Sequence, residues 1–296
     1  MSLAPDAVAG TIYDIGYRNY QGTRLGRGYA FRTLYTQSLR TAFGLGRGLK
    51  SLWIPWFLFA AINFPAALQV GVGAMLGEGV KLIEYHNYFG WVGVSVALFC
   101  AAQAPELVSR DQQNRVLPLY FARALRTSDY ALAKLAAMST AVFILVFTPL
   151  LIILIGRFGM ATSFRTALRA EAGNFLPILG AGIVAAAVLG TLSLALSSLT
   201  ARRGIASAMV LGLYLVTFAM AGILSEMDSR ASDHGLLLNP VFVVTGAILA
   251  LFGKEPGRGG PLAQAHIAPG VFLAAVPIIA VLFTALLLYR YKRIRT

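Results

Sequence analysis

The chain has 296 residues, of which 57% are hydrophobic and only 12% are charged. A soluble domain carries about 25% charged residues, so this composition excludes an ordinary water-soluble protein. The net charge of +13 is compatible with nucleic-acid binding. However, the cations collect at the ends of apolar runs, where they fix orientation and meet anionic lipid, and we expect membrane lipid rather than nucleic acid as their partner.

The first 51 residues precede the long apolar runs. Residues 1–27 are polar and glycine-rich, and we expect them to form a cytoplasmic N-terminal arm. Residues 28–51 place Phe31, Leu34 and Leu39 at roughly helical spacing with arginines between them. This pattern predicts an amphipathic helix that lies in the membrane interface. An arm that packs on another subunit is the alternative.

Six stretches of at least 21 residues contain no Asp, Glu, Lys or Arg. About 20 residues of helix cross the ~30 Å hydrocarbon core, and helices satisfy their own backbone hydrogen bonds in lipid. The sequence therefore predicts an all-α polytopic membrane protein whose six-span transmembrane domain covers 52–296. The predicted spans are approximately 52–74, 88–105, 134–155, 174–199, 205–224 and 268–289.

The distribution of cations predicts which side each loop faces. Lys and Arg favour the cytoplasmic side of short loops, and six spans with both termini inside place 18 of the 25 cations inside. A seventh apolar run, 235–253, would carry the four cations of the C-terminal tail outside if it crossed the membrane. We therefore expect 235–253 to be an interfacial or re-entrant segment on the outer side.

Motifs for catalysis or nucleotide binding are missing from the sequence. GxxxxGK[ST], HExxH and GxSxG do not occur, and the three histidines, His86, His234 and His266, are far apart. Because an ionisable residue within a span is usually functional, the six uncharged runs argue against proton-coupled transport and against chemistry inside the bilayer. We expect no catalytic residue, no metal and no bound cofactor in this chain.

The most polar segment lies between the second and third predicted spans. It reads PELVSRDQQNRVLPLYFARALRTSDY and holds seven charged residues of both signs. Leu117 and Tyr120 add apolar anchors to this mixed charge, a combination typical of a helix that docks on a protein partner. A solvated loop is the alternative.

This segment, extended to PELVSRDQQNRVLPLYFARALRTSDYALAKL, resembles the loop between spans two and three of type-2 ATP-binding-cassette exporter permeases. In that family a short coupling helix on this loop rests in a cleft of the ATPase subunit. The N-terminal IYDIGYRNYQGTRLGR, the interface helix, the six spans and the outer segment before span six also resemble the family. Ala124 departs from it, because such sequences often have proline there, and this implies a softer turn.

The resemblance implies the permease subunit of an ATP-driven exporter in a bacterial cytoplasmic membrane, with a hydrophobic or amphipathic substrate such as a drug, antibiotic or lipid. It further implies a second permease chain, as a homodimer or heterodimer, and two copies of a separate ATP-binding subunit that holds ATP and Mg. This chain would then lack an ATP-binding site of its own and would not itself be an enzyme. The alternatives are a secondary transporter or channel, and a membrane scaffold that recruits an ATPase without transport.

Two sets of residues follow as candidates for function. The residues expected to couple to the ATPase are Glu106, Ser109, Arg110, Asp111, Asn114, Arg115, Leu117, Tyr120, Arg123 and Arg126. The family likeness places the substrate route on spans one, two and five, at a dimer interface. The residues expected to line it are Phe57, Phe59, Asn63 and Gln69.

Overall fold

The computed structural model describes residues 22, 25–46, 48–76, 83–122, 125–161, 163–225, 234–257, 261–264 and 267–294. Over these ranges the secondary structure is helical, without a strand. Six helical segments among them are long and apolar enough to cross a membrane. This confirms the predicted all-α fold with six segments able to span a bilayer. Most of the predicted arm 1–27 lies outside the described residues.

The helices follow the predicted order, with some longer than expected. They are α1 (Arg27–Ala42), α2 (Trp53–Leu76), α3 (Tyr85–Gln113), α4 (Leu117–Phe121), α5 (Thr127–Met160), α6 (Phe164–Glu171), α7 (Phe175–Ala185), α8 (Thr191–Ser198), α9 (Arg203–Ser225), α10 (Pro240–Leu251), α11 (Pro261–Gln264) and α12 (Pro269–Ile294). A π-helical turn over Ala186–Gly190 joins α7 to α8. The six segments able to span are α2, α3, α5, α7 with α8, α9 and α12.

Helix α3 continues eight residues beyond the predicted end of its span at Pro105. In the structure Pro105 lies inside the helix, and the next apolar residues, Leu107 and Val108, are fully buried. Their packing against neighbouring helices outweighs the hydrogen bond that proline removes. The polar segment therefore begins as a rigid extension of a long helix.

Helices α3 and α5 form the centre of the molecule, and α2, α9 and α12 lie outside them. In the most apolar 18-residue stretch of each helix, 78% of the residues of α3 are buried, compared with 17% of those of α12. The outer helices instead expose large apolar side chains, including Phe57, Phe218 and Ile278. Such a surface promotes aggregation in water and is suited to lipid.

The seventh apolar run forms α10, a helix of 12 residues. At 1.5 Å per residue it is about 18 Å long, too short for the ~30 Å hydrocarbon core. It packs against α3, α7 and α12, and Val243, Ala247 and Ile248 are almost fully buried. The Asn239 side chain caps its start by accepting hydrogen bonds from backbone N–H groups, the shorter being 2.8 Å from Val241. A buried helix of this length has the dimensions of a re-entrant segment.

Helix α1 packs along the first half of α5. Arg27 pairs with Asp129 near the start of α5, and the Tyr35 hydroxyl donates to Thr140 Oγ1 at 3.1 Å, eleven residues further along. A tight turn at Gly44, where φ is +71°, then leads towards α2, and a Cβ at this position would collide with the Ser51 carbonyl. Whether α1 also touches the membrane surface stays a prediction.

Gly246 tests the packing of α10 on α12. A Cβ added there would lie 2.6 Å from the ring of the buried Phe272. We expect Gly246→Ala to lower the free energy of unfolding by about 1–3 kcal/mol, as overpacking does, and to lower Tm in detergent. Gly212→Ala in α9, where an added Cβ meets nothing within 4 Å, is the matched control and should keep Tm. Equal Tm values for both variants would contradict this packing.

Candidate functional site

Ion pairs and hydrogen bonds gather where α3 ends and α5 begins. We call this group the end cluster. Its charged members among the described residues are Arg27, Glu106, Asp111, Asp129, Lys134 and Arg203. The polar segment singled out in the sequence runs through it, so the cluster is the candidate site.

A buried ion pair joins α3 to α5. Lys134 Nζ lies 2.8 Å from Asp111 Oδ2, with only 7% and 17% of the two side chains exposed. The Tyr130 hydroxyl donates a second hydrogen bond of 2.8 Å to the same carboxylate oxygen. Because a buried charge is costly unless it is paired, these contacts fix the end of α3 against the start of α5.

Other faces at the end of α3 are tied to the helices that follow α5. Glu106 forms an ion pair with Arg203 at the start of α9. The Ser109 hydroxyl donates to the Ser197 carbonyl of α8 at 2.9 Å. Gln112 Nε2 donates to the Ser198 carbonyl at 3.0 Å and to the Tyr291 hydroxyl of α12 at 3.2 Å. The last two turns of α3 therefore contact four other helices through polar groups.

Helix α1 joins the cluster through Asp129. Arg27 holds this carboxylate with two hydrogen bonds, one of 2.6 Å from Nε. The Arg126 backbone N–H donates at 3.0 Å to Asp129 Oδ2, the oxygen that also accepts from Arg27 Nε, and so caps α5. The hydrogen bond that Arg27 donates to Asp129 raises the pKa of Arg27 above its ordinary value, so this guanidinium remains charged.

The loop between α3 and α5 folds back onto the cluster through α4. Leu117 is buried, and the rings of Tyr120 and Phe121 lie 5.5 and 6.0 Å from the ring of Tyr130. Leu119 points the other way and is 69% exposed. The short helix is thus anchored on one side and presents an apolar side chain on the other.

The turn from α3 to α4 contains a strained arginine. Arg115 has φ +52°, a left-handed conformation that favours glycine. Its N–H donates to the Gln112 carbonyl and that of Val116 to the Asp111 carbonyl, both at 3.2 Å, which closes the helix end as in a Schellman motif. A non-glycine residue in this conformation destabilises the fold by about 1–3 kcal/mol. The chain therefore has arginine at a position where glycine would be more stable.

The ten predicted coupling residues divide into two groups. Those with exposed side chains are Arg110, Asn114, Arg115 and Arg126. Those held inside the chain are Glu106, Ser109, Asp111, Leu117 and, half-buried, Tyr120. Arg123 lies outside the described residues. The inward group is occupied by partners within this chain, so the surface available to another protein is smaller than the sequence suggested.

A second polar layer lies at the opposite end of α5. Arg157 forms ion pairs with Glu171, at 3.3 Å, and with Glu84, at 3.5 Å, and its guanidinium lies over the ring of Tyr85. The uncharged stretch of α5 between Lys134 and Arg157 has 22 residues, about 33 Å of helix. This length matches the hydrocarbon core of a bilayer.

The four predicted substrate-path residues do not share one surface. Phe57 is exposed and lines an apolar groove between α2, α3 and α9. Phe59 packs against the rings of Phe43 and Trp56, and Asn63 donates to the Phe59 carbonyl at 2.8 Å. Gln69 has a structural position, because its amide exchanges two hydrogen bonds of 3.0 and 3.1 Å with the Ile83 backbone. The groove thus includes only Phe57 of this set.

Sequence reasoning missed the residues that complete the cluster. They are Arg27, Gln112, Asp129, Tyr130, Lys134, Arg203 and Tyr291. One signal for Lys134 was present, since it is the lone cation directly before a 22-residue uncharged run and needs an acidic partner when buried. No sequence signal identifies Tyr291, which reaches the cluster from the far end of the chain.

No group of three or more His, Cys, Asp or Glu side chains suited to a metal ion occurs among the residues that the structure describes. No family model matches the chain, and no curated protein matches it. The function is therefore inferred from the residues of this chain and from their arrangement.

The Asp111–Lys134 pair allows a direct test of the cluster. We expect Lys134→Met to destabilise the protein by about 3–5 kcal/mol, because Asp111 is left buried without its cation. The double variant Asp111→Asn, Lys134→Met should recover much of this loss, since no buried charge remains. Arg110→Gln, which changes an exposed cation of the same segment, is the control. Thermal unfolding in detergent measures these variants and Asp111→Asn alone. If the effects of Asp111→Asn and Lys134→Met add up in the double variant, the two residues do not interact.

Proposed function

We propose that this chain is the membrane-spanning permease subunit of an ATP-driven exporter, and that the loop between α3 and α5 is its contact with a separate ATPase subunit. The observation that carries the proposal is the form of this loop. It is a short helix, α4, anchored by Leu117 on the ends of two long helices, with arginines and one apolar side chain directed outward. Its sequence is also the part that resembles exporter permeases most specifically.

The outward surface of the loop suits a protein partner. Leu119 is exposed at its centre, and Arg110, Asn114, Arg115 and Arg126 are exposed around it. Interfaces of this kind combine a buried apolar anchor with surrounding charges that steer association and set register. Three of these four residues are cationic, which favours an acidic rim on the partner's cleft.

The inward contacts of the loop give a route for movement. A displacement of α4 acts on α3 and α5 together, because Asp111 and Lys134 hold the two helices in one unit. Glu106 and Arg203 extend this connection to α9, which is one of the helices lining the apolar groove. A packed, ion-paired group of this type moves as a body rather than deforming.

The mechanism that follows is a two-state cycle driven from the loop. ATP binding brings the two partner subunits together, and α4 of each permease follows its ATPase. The movement passes through the end cluster to α3, α5 and α9 and changes access to the groove. ATP shifts this equilibrium only through contacts that differ between the two states, and the exposed side chains around α4 supply those contacts. A hydrophobic or amphipathic substrate suits the apolar lining at Phe57.

Charge reversal on the loop tests the partner contact. We expect Arg110→Glu with Arg115→Glu to abolish co-purification with the proposed ATP-binding subunit, or its stimulated ATP hydrolysis, while membrane insertion is retained. Arg165→Glu with Arg169→Glu on α6 is the matched control, because these arginines are equally exposed at the opposite end. ATPase binding that survives reversal on the loop would refute the proposal.

Arg115→Gly separates stability from coupling. Glycine adopts a positive φ without strain. We therefore expect the free energy of unfolding of this variant to be about 1 kcal/mol higher than that of the parent. The lost cation should nevertheless weaken ATPase stimulation. Tm in detergent and ATP hydrolysis in reconstituted vesicles measure the two effects. A variant that gains stability and keeps full stimulation would remove Arg115 from the contact.

A further inference from the structure

The apolar groove between α2, α3 and α9 opens at one end into a polar cleft. The groove has a volume of about 490 Å³ and is lined by residues that include Trp53, Phe57, Leu98 and Leu211. The cleft, of about 560 Å³, contains Glu106, Gln113, Arg202 and Arg203. Ala102 and Ser207 line both cavities, so the two form one continuous surface depression.

The polar end of this depression carries a net positive charge. Arg203 is compensated by its ion pair with Glu106. Arg202 is exposed and has no ion pair with any described residue. One uncompensated guanidinium therefore faces the cleft, and a guanidinium binds phosphate with two parallel hydrogen bonds.

The dimensions of the depression fit a lipid in one leaflet. Along α3 its lining runs from Leu98 to Gln113, about 22 Å of helix. Half of the hydrocarbon core measures ~15 Å, which leaves room for a headgroup above it. Trp53 and Trp56 at the start of α2 are exposed beside the groove, as expected for side chains at the level of lipid headgroups.

We infer that this depression is a binding site for an anionic phospholipid, whose phosphate pairs with Arg202 and whose acyl chain lies along Phe57, Leu98 and Leu211. The apolar groove matches the acyl chain of such a lipid, and the adjacent unpaired cation matches its phosphate. A zwitterionic headgroup would instead bring a second positive charge next to Arg202. The site shares the apolar groove that the proposed function offers to the substrate, so lipid and substrate would occupy it in turn. The lipid inference itself rests on membrane embedding and on this geometry, not on ATP-driven export.

Quenching of Trp53 fluorescence by brominated lipids tests the inference. Trp56→Phe and Trp91→Phe leave Trp53 as the only tryptophan of the chain, and the protein is placed in vesicles that contain brominated phosphatidylglycerol or brominated phosphatidylcholine. We expect phosphatidylglycerol to quench Trp53 with about fivefold higher apparent affinity, the factor for one arginine at an anionic surface. A variant that retains only Trp91, which is also exposed but lies in the first turns of α3 far from Arg202, should show no preference.

Substitutions at two positions, Arg202 and Ser207, locate the site. Arg202→Glu should abolish it, and the milder Arg202→Gln should do the same if the charged variant folds poorly, whereas Arg169→Glu on α6 should leave it unchanged. Ser207→Phe, at the junction of groove and cleft, should reduce quenching by phosphatidylglycerol, with Leu215→Phe on the exposed face of α9 as its control.

Three results would overturn the inference. Equal quenching of Trp53 by the two lipids would show that the cleft does not select charge. A preference retained in both Arg202 variants would place the selective cation elsewhere. Weak quenching of Trp53 by both lipids would show that a second copy of the chain covers the groove instead. None of these results bears on ATPase coupling, which the loop variants test separately.

Discussion

The two layers of ion pairs at the ends of α5 are the constraint on which the rest of this structure depends. Lys134 with Asp111 at one end, and Arg157 with Glu84 and Glu171 at the other, are separated by an uncharged stretch of 22 residues. That stretch is about 33 Å long, so the charges of the central helix lie where a bilayer ends and water begins. The six long apolar helices cross the layer between these two sets of ion pairs, and their charged residues lie outside it. Their outer faces can therefore stay apolar.

The layer at the start of α5 combines two roles. It stabilises the bundle, because each buried charge has an oppositely charged partner, and Asp111 and Asp129 each accept a further hydrogen bond. It also brings the ends of α3, α5, α8, α9 and α12 into one connected group. Since α4 rests on this group through Tyr130, a force on the short helix reaches five other helices. The exposed arginines and the strained Arg115 lie on its outer side.

Hydropathy and charge alone predicted the all-α fold and the positions of the six long apolar segments, because the bilayer limits both length and composition. They also identified the loop that carries α4. They could not place the end of α3, since a proline usually ends a helix. This helix continues past Pro105 because Leu107 and Val108 are buried. They could not separate Ser109, which faces α8, from Arg110, which faces outward, because that distinction depends on the packing of helices distant in sequence. For the same reason the sequence predicts Gln69 as a lining residue, although its amide is hydrogen-bonded to the Ile83 backbone.

The most direct measurement is the side of the membrane that the end of α3 faces. In a Cys100→Ser background, Asn114→Cys and Ser163→Cys place single thiols on exposed positions at the two opposite ends of the bundle. With a membrane-impermeant maleimide, we expect Ser163→Cys to be labelled in intact cells and Asn114→Cys only after the membrane is permeabilised. Labelling of Asn114→Cys from outside intact cells would place α4 away from any cytoplasmic ATPase and would contradict this account.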